Sequence, residues 1–180
     1  MIRFQCKSCG QWHEGMPTFG AYAPLYYYGI PEEEREARCR LGTDMCIVDG
    51  EHFFVRGCLE IPVHGETEPF VWGVWVSLSK ENFDRFVACF EADKRSHIGP
   101  FFGWLSAALP LYPDTENLKA RAHLRDGIRP YIELEPTDHP LAVEQRNGIC
   151  AERVAEIVAD YERRERGGES GIEQSADEPP

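Results

Sequence analysis

The chain has 180 residues, 42% of them apolar and 28% charged, which is the size and composition of one soluble globular domain with a full core. No apolar run approaches the roughly 20 residues that cross a bilayer, so we expect no membrane partner. The net charge is −12, of which the six acids and three arginines of residues 162–180 contribute −3. The remaining charge of −9 makes the domain itself acidic, and such a surface repels phosphate backbones, which argues against nucleic acid as a partner.

The cysteines and the N-terminus indicate a compartment. Seven cysteines, an odd number, favour free thiols or metal ligation in a chain large enough to fold without disulfides. The first residues, MIRFQCKSCG, lack the apolar core of a secretion signal. We therefore expect a cytoplasmic protein.

The first pattern along the chain is CKSCGQWHE, residues 6–14. Cys6 and Cys9 on one tight turn have the geometry that tetrahedral zinc accepts, and His13 is a candidate third ligand. The fourth ligand would be one of three distant cysteines, Cys39, Cys46 or Cys58. Two alternatives are a turn with reduced thiols and a redox pair, although thioredoxin-like chemistry expects such a pair to open a helix.

Aromatic residues then cluster in AYAPLYYYGIP, and PEEEREARCR after it predicts a short helix that begins at Pro31. Further along, FVWGVWVSLS, residues 70–79, is apolar at both its odd and its even positions, as expected of a central strand that is covered on both faces. Trp72 and Trp75 would lie on opposite faces of this strand.

Between these segments, the Asp-Gly pair at 49–50 predicts a β-hairpin with a two-residue turn. In the second strand, core residues alternate with a partly polar face: Phe53, Val55, Leu59 and Ile61 against Phe54, Arg56, Cys58 and Glu60. With that turn, Cys46 would lie opposite Phe53 on the core face and Cys58 on the other face. The two cysteines could then not join one site unless a bulge intervened at Gly57.

A helix is predicted near residues 80–92. Ser79 is a suitable N-cap, and apolar residues follow it at the spacing of a buried helical stripe. This stripe consists of Phe83, Phe86, Val87 and Phe90. The aromatic segment GPFFGWLSAALPLYP after it predicts one short helix from Trp104 to Leu109, which is ended by proline.

A second hairpin is predicted from the alternation of residues 118–125 and 131–135. A three-residue loop, 126–128, aligns the polar faces of its two strands, whereas a two-residue loop does not. The polar pairs would be Arg125 with Arg129, His123 with Tyr131, Arg121 with Glu133, and Lys119 with Glu135. We expect an exposed ladder of salt bridges; a deep pocket lined by Arg121, Glu133 and His123 would instead favour an enzyme.

The last helix is predicted near residues 150–166, with one buried face and a solvated one that includes Arg153, Glu156 and Arg163. Its buried stripe is Val154, Ile157, Val158 and Tyr161. Residues 167–180, rich in glycine and acids, predict a disordered acidic tail. Strands with helices at irregular intervals predict an α+β fold: a single domain over residues 1–166 with a mostly antiparallel sheet built from hairpins.

Five motifs in order resemble a known family. They are Cys9-Gly10 with His13, DMCIVDGEHFFVRGCLEIPV, EPFVWGVWVSLS, FFGWL and GIRPYIELEPTDHPLAVEQRNGI. Together they resemble the bacterial domain of unknown function 2199 over nearly all of residues 4–160. The resemblance implies a bacterial protein but no activity, because the family has none established. Cys150 departs from the Ser or Thr that opens the last helix in related sequences, and a thiol is a poor N-cap, so we do not expect it to be a ligand.

Two further polar clusters are candidate catalytic sites. His52 and Cys58 are six residues apart on one strand, roughly 20 Å, too far for a catalytic pair. Arg56 and Glu60, on the same face, are expected to form ion pairs.

The other cluster is TDHP, residues 137–140. Carboxylates and an imidazole lie near it in sequence: Glu133, Glu135, Glu144 and His123. Such groups can bind a metal that activates water. However, no His-x-x-x-His pair is present, and we favour a plain turn, in which Asp138 precedes Pro140 and His139 packs beneath it.

Two functions follow from these patterns. The favoured one is a non-enzymatic protein-binding domain with any zinc purely structural, because AYAPLYYY and FFGWL offer aromatic anchors. Immunity to a basic toxin would be one version. The alternative is a metal-dependent hydrolase or other small-molecule enzyme that uses Cys6, Cys9, His123, Asp138 and His139. A closed four-ligand zinc favours the first function, and an open coordination position the second.

Overall fold

The computed structural model describes residues 3–5, 10, 12–167 and 172–174. Within those residues the strands are β1 Arg3–Gln5, β2 Trp12–Glu14, β3 Thr18–Ala21, β4 Cys39–Leu41, β5 Met45–Val48, β6 His52–Ile61, β7 Phe70–Leu78, β8 Phe101–Leu105, β9 Lys119–His123, β10 Tyr131–Leu134 and β11 Ile172–Gln174. The helices are α1 Leu25–Tyr28, α2 Glu32–Arg38, α3 Lys80–Ala88, α4 Pro140–Asn147 and α5 Ala151–Gly167. No helix in this part of the chain is long and apolar enough to cross a membrane.

Strands β6 to β10 close into a five-stranded barrel, in the order β6-β7-β8-β9-β10, with β10 returning to β6. Neighbours are antiparallel except β10 and β6, which run parallel where Tyr131 lies beside Cys58. β5 and β4 extend the sheet from β6, and β3 and β11 extend it from β7, with β3 parallel to β7. The predicted α+β class and mostly antiparallel sheet are confirmed, whereas barrel closure and the two parallel pairings were not predicted.

The barrel closes where β10 approaches β6, and this approach requires a residue without a side chain. A Cβ atom at Gly57 would lie 2.6 Å from Cδ1 of Ile132 and 2.9 Å from the carbonyl oxygen of Pro130. That same carbonyl accepts a hydrogen bond from the N–H of Cys58 at 2.8 Å. Gly57, which interrupts the apolar alternation of β6 in the sequence, therefore marks the point of closure.

Two hydrophobic cores lie on the two sides of β6 and β7. The larger fills the barrel and includes buried side chains from α3, α4 and α5. The smaller consists of Ala21, Ile30, Cys39, Cys46, Val48, Phe54 and Trp75, with Tyr27 and Leu41 packed against it. Trp72 belongs to the larger core and Trp75 to the smaller one, which confirms that they face opposite ways.

Helix α5 confirms its predicted stripe. Its buried residues include Val154, Ile157, Val158 and Tyr161. Glu156 and Arg163 are exposed as predicted, but Arg153 is half-buried because its guanidinium donates to Glu144 of α4 at 2.9 Å. Three residues of the predicted tail, Ile172–Gln174, form β11 beside β3, and residues 168–171 and 175–180 lie outside the described part of the chain.

Helix α3 begins as predicted and ends earlier. The hydroxyl oxygen of Ser79 accepts a hydrogen bond from the N–H of Asn82 at 3.2 Å, which is the expected N-cap. The helix stops at Ala88 rather than near residue 92, and Val87, expected in the buried stripe, is exposed.

The helix predicted from Trp104 to Leu109 is wrong, because this segment begins with strand β8. Phe102 and Trp104 point to solvent while the residues alternating with them are buried. Gly103 allows β8 to lie against β7, since a Cβ atom there would overlap the carbonyl oxygen of Ser77. The two-residue alternation of FFGWL indicates a strand, but the apolar residues that follow FFGWL obscured this pattern.

The turn predicted at residues 138–140 is the start of α4, a helix that was not predicted. Nδ1 of His139 accepts a hydrogen bond from the N–H of Leu141 at 3.2 Å, and Pro140 occupies the first turn. Gly148, with a φ of +77°, ends the helix.

The hairpin between β5 and β6 has a three-residue loop, not the predicted two-residue turn. Cys46 pairs with Phe54 instead of Phe53, so it shares the face that carries Cys58. The carboxylate of Asp49 accepts two hydrogen bonds, both 2.7 Å, from the arginine that ends α2. The prediction that register separates Cys46 from Cys58 was therefore wrong, because the loop contains Glu51 in addition to the Asp-Gly pair.

Candidate functional site

A row of side chains crosses four strands on the outside of the barrel. Phe54 of β6 pairs with Ser77 of β7, Ser77 with Trp104 of β8, and Trp104 with Lys119 of β9. Because neighbouring strands are about 4.8 Å apart, the strands that carry Phe54 and Trp104 are separated by roughly 10 Å. Only the short side chain of Ser77 lies between the two rings, so the surface is depressed at that residue.

Helix α1 supplies one wall of this depression. The ring centroid of Tyr26 lies 4.9 Å from that of His52 and 5.4 Å from that of Phe54. The N–H of Leu25 donates to Oγ of Ser106 at 3.0 Å, and the N–H of Ser106 donates to a carbonyl of β7. These bonds fix α1 against the end of β8, so the two aromatic stretches singled out in the sequence meet at one place.

We call this depression the aromatic groove. It has a volume of about 490 Å³, and its lining includes Tyr26, Glu51, His52, Ser77, Trp104 and Asn117. Trp104 is 40% exposed and Tyr26 42% exposed. Glu51 is the only carboxylate in the described lining, which contains no lysine or arginine. Partly exposed rings beside hydroxyl and amide groups can receive a side chain of another molecule.

A second depression, the charged cleft, lies beside β9 and β10 and has a volume of about 650 Å³. The guanidinium of Arg125 donates to Glu60 at 2.6 Å, and Nε2 of His123 lies 2.8 Å from a carboxylate oxygen of Glu133. Burial raises the pKa of Tyr131, and the neighbouring carboxylates raise it further. The phenol is therefore neutral at physiological pH and unsuited to act as a base there.

The predicted register of β9 and β10 is confirmed, with His123 opposite Tyr131 and Arg121 opposite Glu133. Lys119 forms the expected pair with Glu135 at 3.6 Å. Glu133, however, contacts His123 rather than binding Arg121 as predicted. The ladder thus continues into the edge of the charged cleft, which Glu133 and His123 both line.

Arg125 and Arg129, which were predicted to lie opposite one another, are both held by carboxylates from other strands and loops. Arg125 binds Glu60 at 2.6 Å, and Arg129 binds Asp44 at 2.7 Å. The Nε–H of Arg125 also donates to the carbonyl oxygen of Arg129 at 2.8 Å. Glu60, which was expected to form an ion pair, forms it with Arg125.

Of the predicted zinc ligands, Cys6 and Cys9 lie outside the described residues, and His13 is described by its backbone alone, in β2. Among the candidates for a fourth ligand, Cys39 and Cys46 are buried and Cys58 is half-buried. Burial raises the pKa of the Cys46 thiol to about 12, and it also raises the pKa of Cys58. Both thiols are therefore protonated at neutral pH in the protein as described.

The described residues of the predicted enzyme site, His123, Asp138 and His139, are not brought together as a metal centre. In the chain as far as the structure describes it, no three side chains of His, Cys, Asp or Glu converge to hold a metal ion. His123 contacts Glu133 on the barrel, and Nδ1 of His139 is engaged at the start of α4.

Comparison with known proteins identifies the family to which the chain belongs. The family model for DUF2199, described as an uncharacterized protein conserved in bacteria, matches residues 5–149. The chain belongs to this family. No curated protein matches it, and no solved structure does. The match confirms the resemblance that the five motifs indicated. The matched residues of the chain include the whole barrel and the described lining of the aromatic groove.

The sequence identified part of this groove in the DUF2199 chain. AYAPLYYY and FFGWL were singled out as aromatic anchors, and they supply Tyr26 and Trp104. Ser77, His52 and Glu51 were not identified, because their place in the groove depends on strand register across the barrel. The alternation of FFGWL, assigned to a strand, would have placed Trp104 on the outer face.

Proposed function

We propose that this bacterial protein is a non-enzymatic, cytoplasmic protein-binding domain that holds its partner at the aromatic groove. The observation that carries the proposal is the meeting of Tyr26 and Trp104, from two distant segments, as partly exposed walls of one groove. Exposed aromatic side chains beside a pocket are the usual anchors of protein interfaces.

The surroundings of the groove support this proposal. Phe102, also exposed, contacts Trp104 edge to face with ring centroids 5.4 Å apart and extends the apolar surface. Ser77, Ser106 and Asn117 supply hydrogen-bonding groups in the lining. Apolar anchors with adjacent polar groups are the composition of a protein interface. The net charge of −12 favours a basic partner, of which a toxin neutralised by an immunity-type protein is one version.

The proposed compartment has its own support. The five cysteines that the structure describes, of seven in the chain, are free thiols. Free thiols persist in the reducing cytoplasm.

Selection of binders from a random peptide library on the immobilised protein tests the proposal. We expect the selected peptides to bind Trp104→Ser at least about tenfold more weakly than wild type, since loss of an aromatic anchor at the centre of an interface costs about 2 kcal/mol or more. Fluorescence anisotropy measures the affinities. Trp12→Ser is the matched control, because Trp12 is 58% exposed and is not part of the groove. Equal weakening by both variants, or none by Trp104→Ser, would contradict the proposal.

We also propose that Cys6, Cys9 and His13 hold a structural zinc ion, as their spacing suggests. Wild-type protein should then contain about one zinc per chain and the double variant Cys6→Ser/Cys9→Ser none, by atomic emission. X-ray absorption should show four protein ligands. Zinc-free wild type would contradict the proposal, and a bound water in the coordination sphere would favour the enzyme instead.

A further inference from the structure

We infer that the partner presents an arginine side chain to the aromatic groove, where its guanidinium stacks on Tyr26 and Trp104 and pairs with Glu51. This inference rests on the proposed function and names the chemistry of the partner. Three observations support it: the width of the groove, its charge, and the contacts that neighbouring rings of α1 already make.

The width suits one planar group. Tyr26 contacts Phe54 of β6, with ring centroids 5.4 Å apart, and Trp104 lies on β8; these two strands are roughly 10 Å apart, because β7 alone separates them. A flat group stacked between two rings requires about 3.5–4.0 Å on each side. The short side chain of Ser77 leaves this space open. A guanidinium is planar and stacks on aromatic faces, which distinguishes arginine from lysine.

The charge favours a cation. Glu51 provides a carboxylate, and the described lining holds no lysine or arginine that would repel an incoming guanidinium. Two ammonium groups lie beside lining rings: Nζ of Lys119 is 6.0 Å from the ring centroid of Trp104, and Nζ of Lys80 is 5.9 Å from that of Phe53. Each is paired with a carboxylate, Glu135 at 3.6 Å and Asp84 at 2.6 Å respectively. The groove therefore has a net negative character within a chain that is acidic throughout.

Neighbouring rings of α1 already contact a guanidinium within the protein. The guanidinium carbon of Arg35 lies 4.9 Å from the ring centroid of Tyr27 and 5.8 Å from that of Tyr28. Tyr26, their neighbour in α1, faces the groove instead. Stacking of arginine on a ring is thus the contact made by two of the three tyrosines of α1.

Titration with N-acetyl-arginine amide, followed by the indole N–H resonance of Trp104 in NMR spectra, tests the inference. The neutral isostere, N-acetyl-citrulline amide, has the same shape without the charge. We expect a saturable shift with the arginine probe and at least about tenfold weaker binding of the citrulline probe. Glu51→Gln should weaken binding of the arginine probe but not of the citrulline probe. Glu81→Gln, which removes an exposed carboxylate on α3, should change the affinity of neither probe.

The outcomes separate this inference from the function on which it rests. Equal binding of the two probes, no shift, or equal binding of the corresponding lysine probe would overturn it. If library peptides bind the groove but contain no arginine, the inference fails and the proposed function stands. If no selected peptide depends on Trp104, both fail.

Discussion

Replacing Ile157 with Asp should leave the protein largely unfolded at room temperature. Ile157 is fully buried on α5 and packs in the larger core. Loss of a large aliphatic side chain from a core costs about 2–5 kcal/mol, and a buried carboxylate adds the cost of its desolvation. The sum approaches the whole stability of a domain, which is about 5–15 kcal/mol.

Far-UV circular dichroism during a thermal melt measures the effect. The control is Glu156→Asp, on the same helix one position away but exposed, which should change the free energy of unfolding by less than about 0.5 kcal/mol. If Ile157→Asp melts like wild type, α5 does not pack against the barrel in solution.

Replacing Arg95 with Met should lower the free energy of unfolding by about 3 kcal/mol. Arg95 is only 7% exposed, and its guanidinium donates to three backbone carbonyls. The distances are 2.6 Å to the carbonyl oxygen of Phe90, 2.9 Å to that of Arg125 and 3.0 Å to that of Ile128. Methionine keeps much of the length of the side chain but donates no hydrogen bond, so these carbonyls lose their buried partner.

Urea denaturation of wild type and Arg95→Met gives the difference in stability. The backbone N–H of Arg95 donates to Asp126 at 2.7 Å, and this bond is kept in the variant, so the experiment isolates the guanidinium. Arg40→Met, at an exposed position of β4, is the control and should have little effect. A loss below about 1 kcal/mol would show that the guanidinium does not hold the turn after β9 to the loop after α3.

Features that depend on neighbours in sequence were predicted well. The stripe of α5, the N-cap at Ser79 and the register of the β9–β10 hairpin all follow from spacing within about twenty residues. The closure of the barrel does not, because it depends on β10 lying parallel to β6. Gly57 signalled an interruption of the strand, but only the fold shows that Pro130 and Ile132 occupy the space it leaves.

The aromatic groove, like the fold, was predicted from the sequence only in its local features. Tyr26 and Trp104 lie in aromatic stretches that are conspicuous in the sequence, and a protein interface was predicted from them. Their meeting requires β6, β7 and β8 to pair in one register, so that Tyr26 contacts Phe54 of β6 while Trp104 lies on the far side of Ser77. The wrong helix at Trp104 and the wrong hairpin loop before His52 both concealed that register.

The most direct test of the central claim is an NMR map of the binding site of a library-selected peptide, using assigned ¹H–¹⁵N spectra of the intact protein. We expect the largest shift changes at Tyr26, His52, Ser77, Trp104 and Asn117, which line the aromatic groove. Changes concentrated instead at His123, Tyr131 and Glu133, in the charged cleft, would contradict the claim that the aromatic groove is where this protein binds its partner.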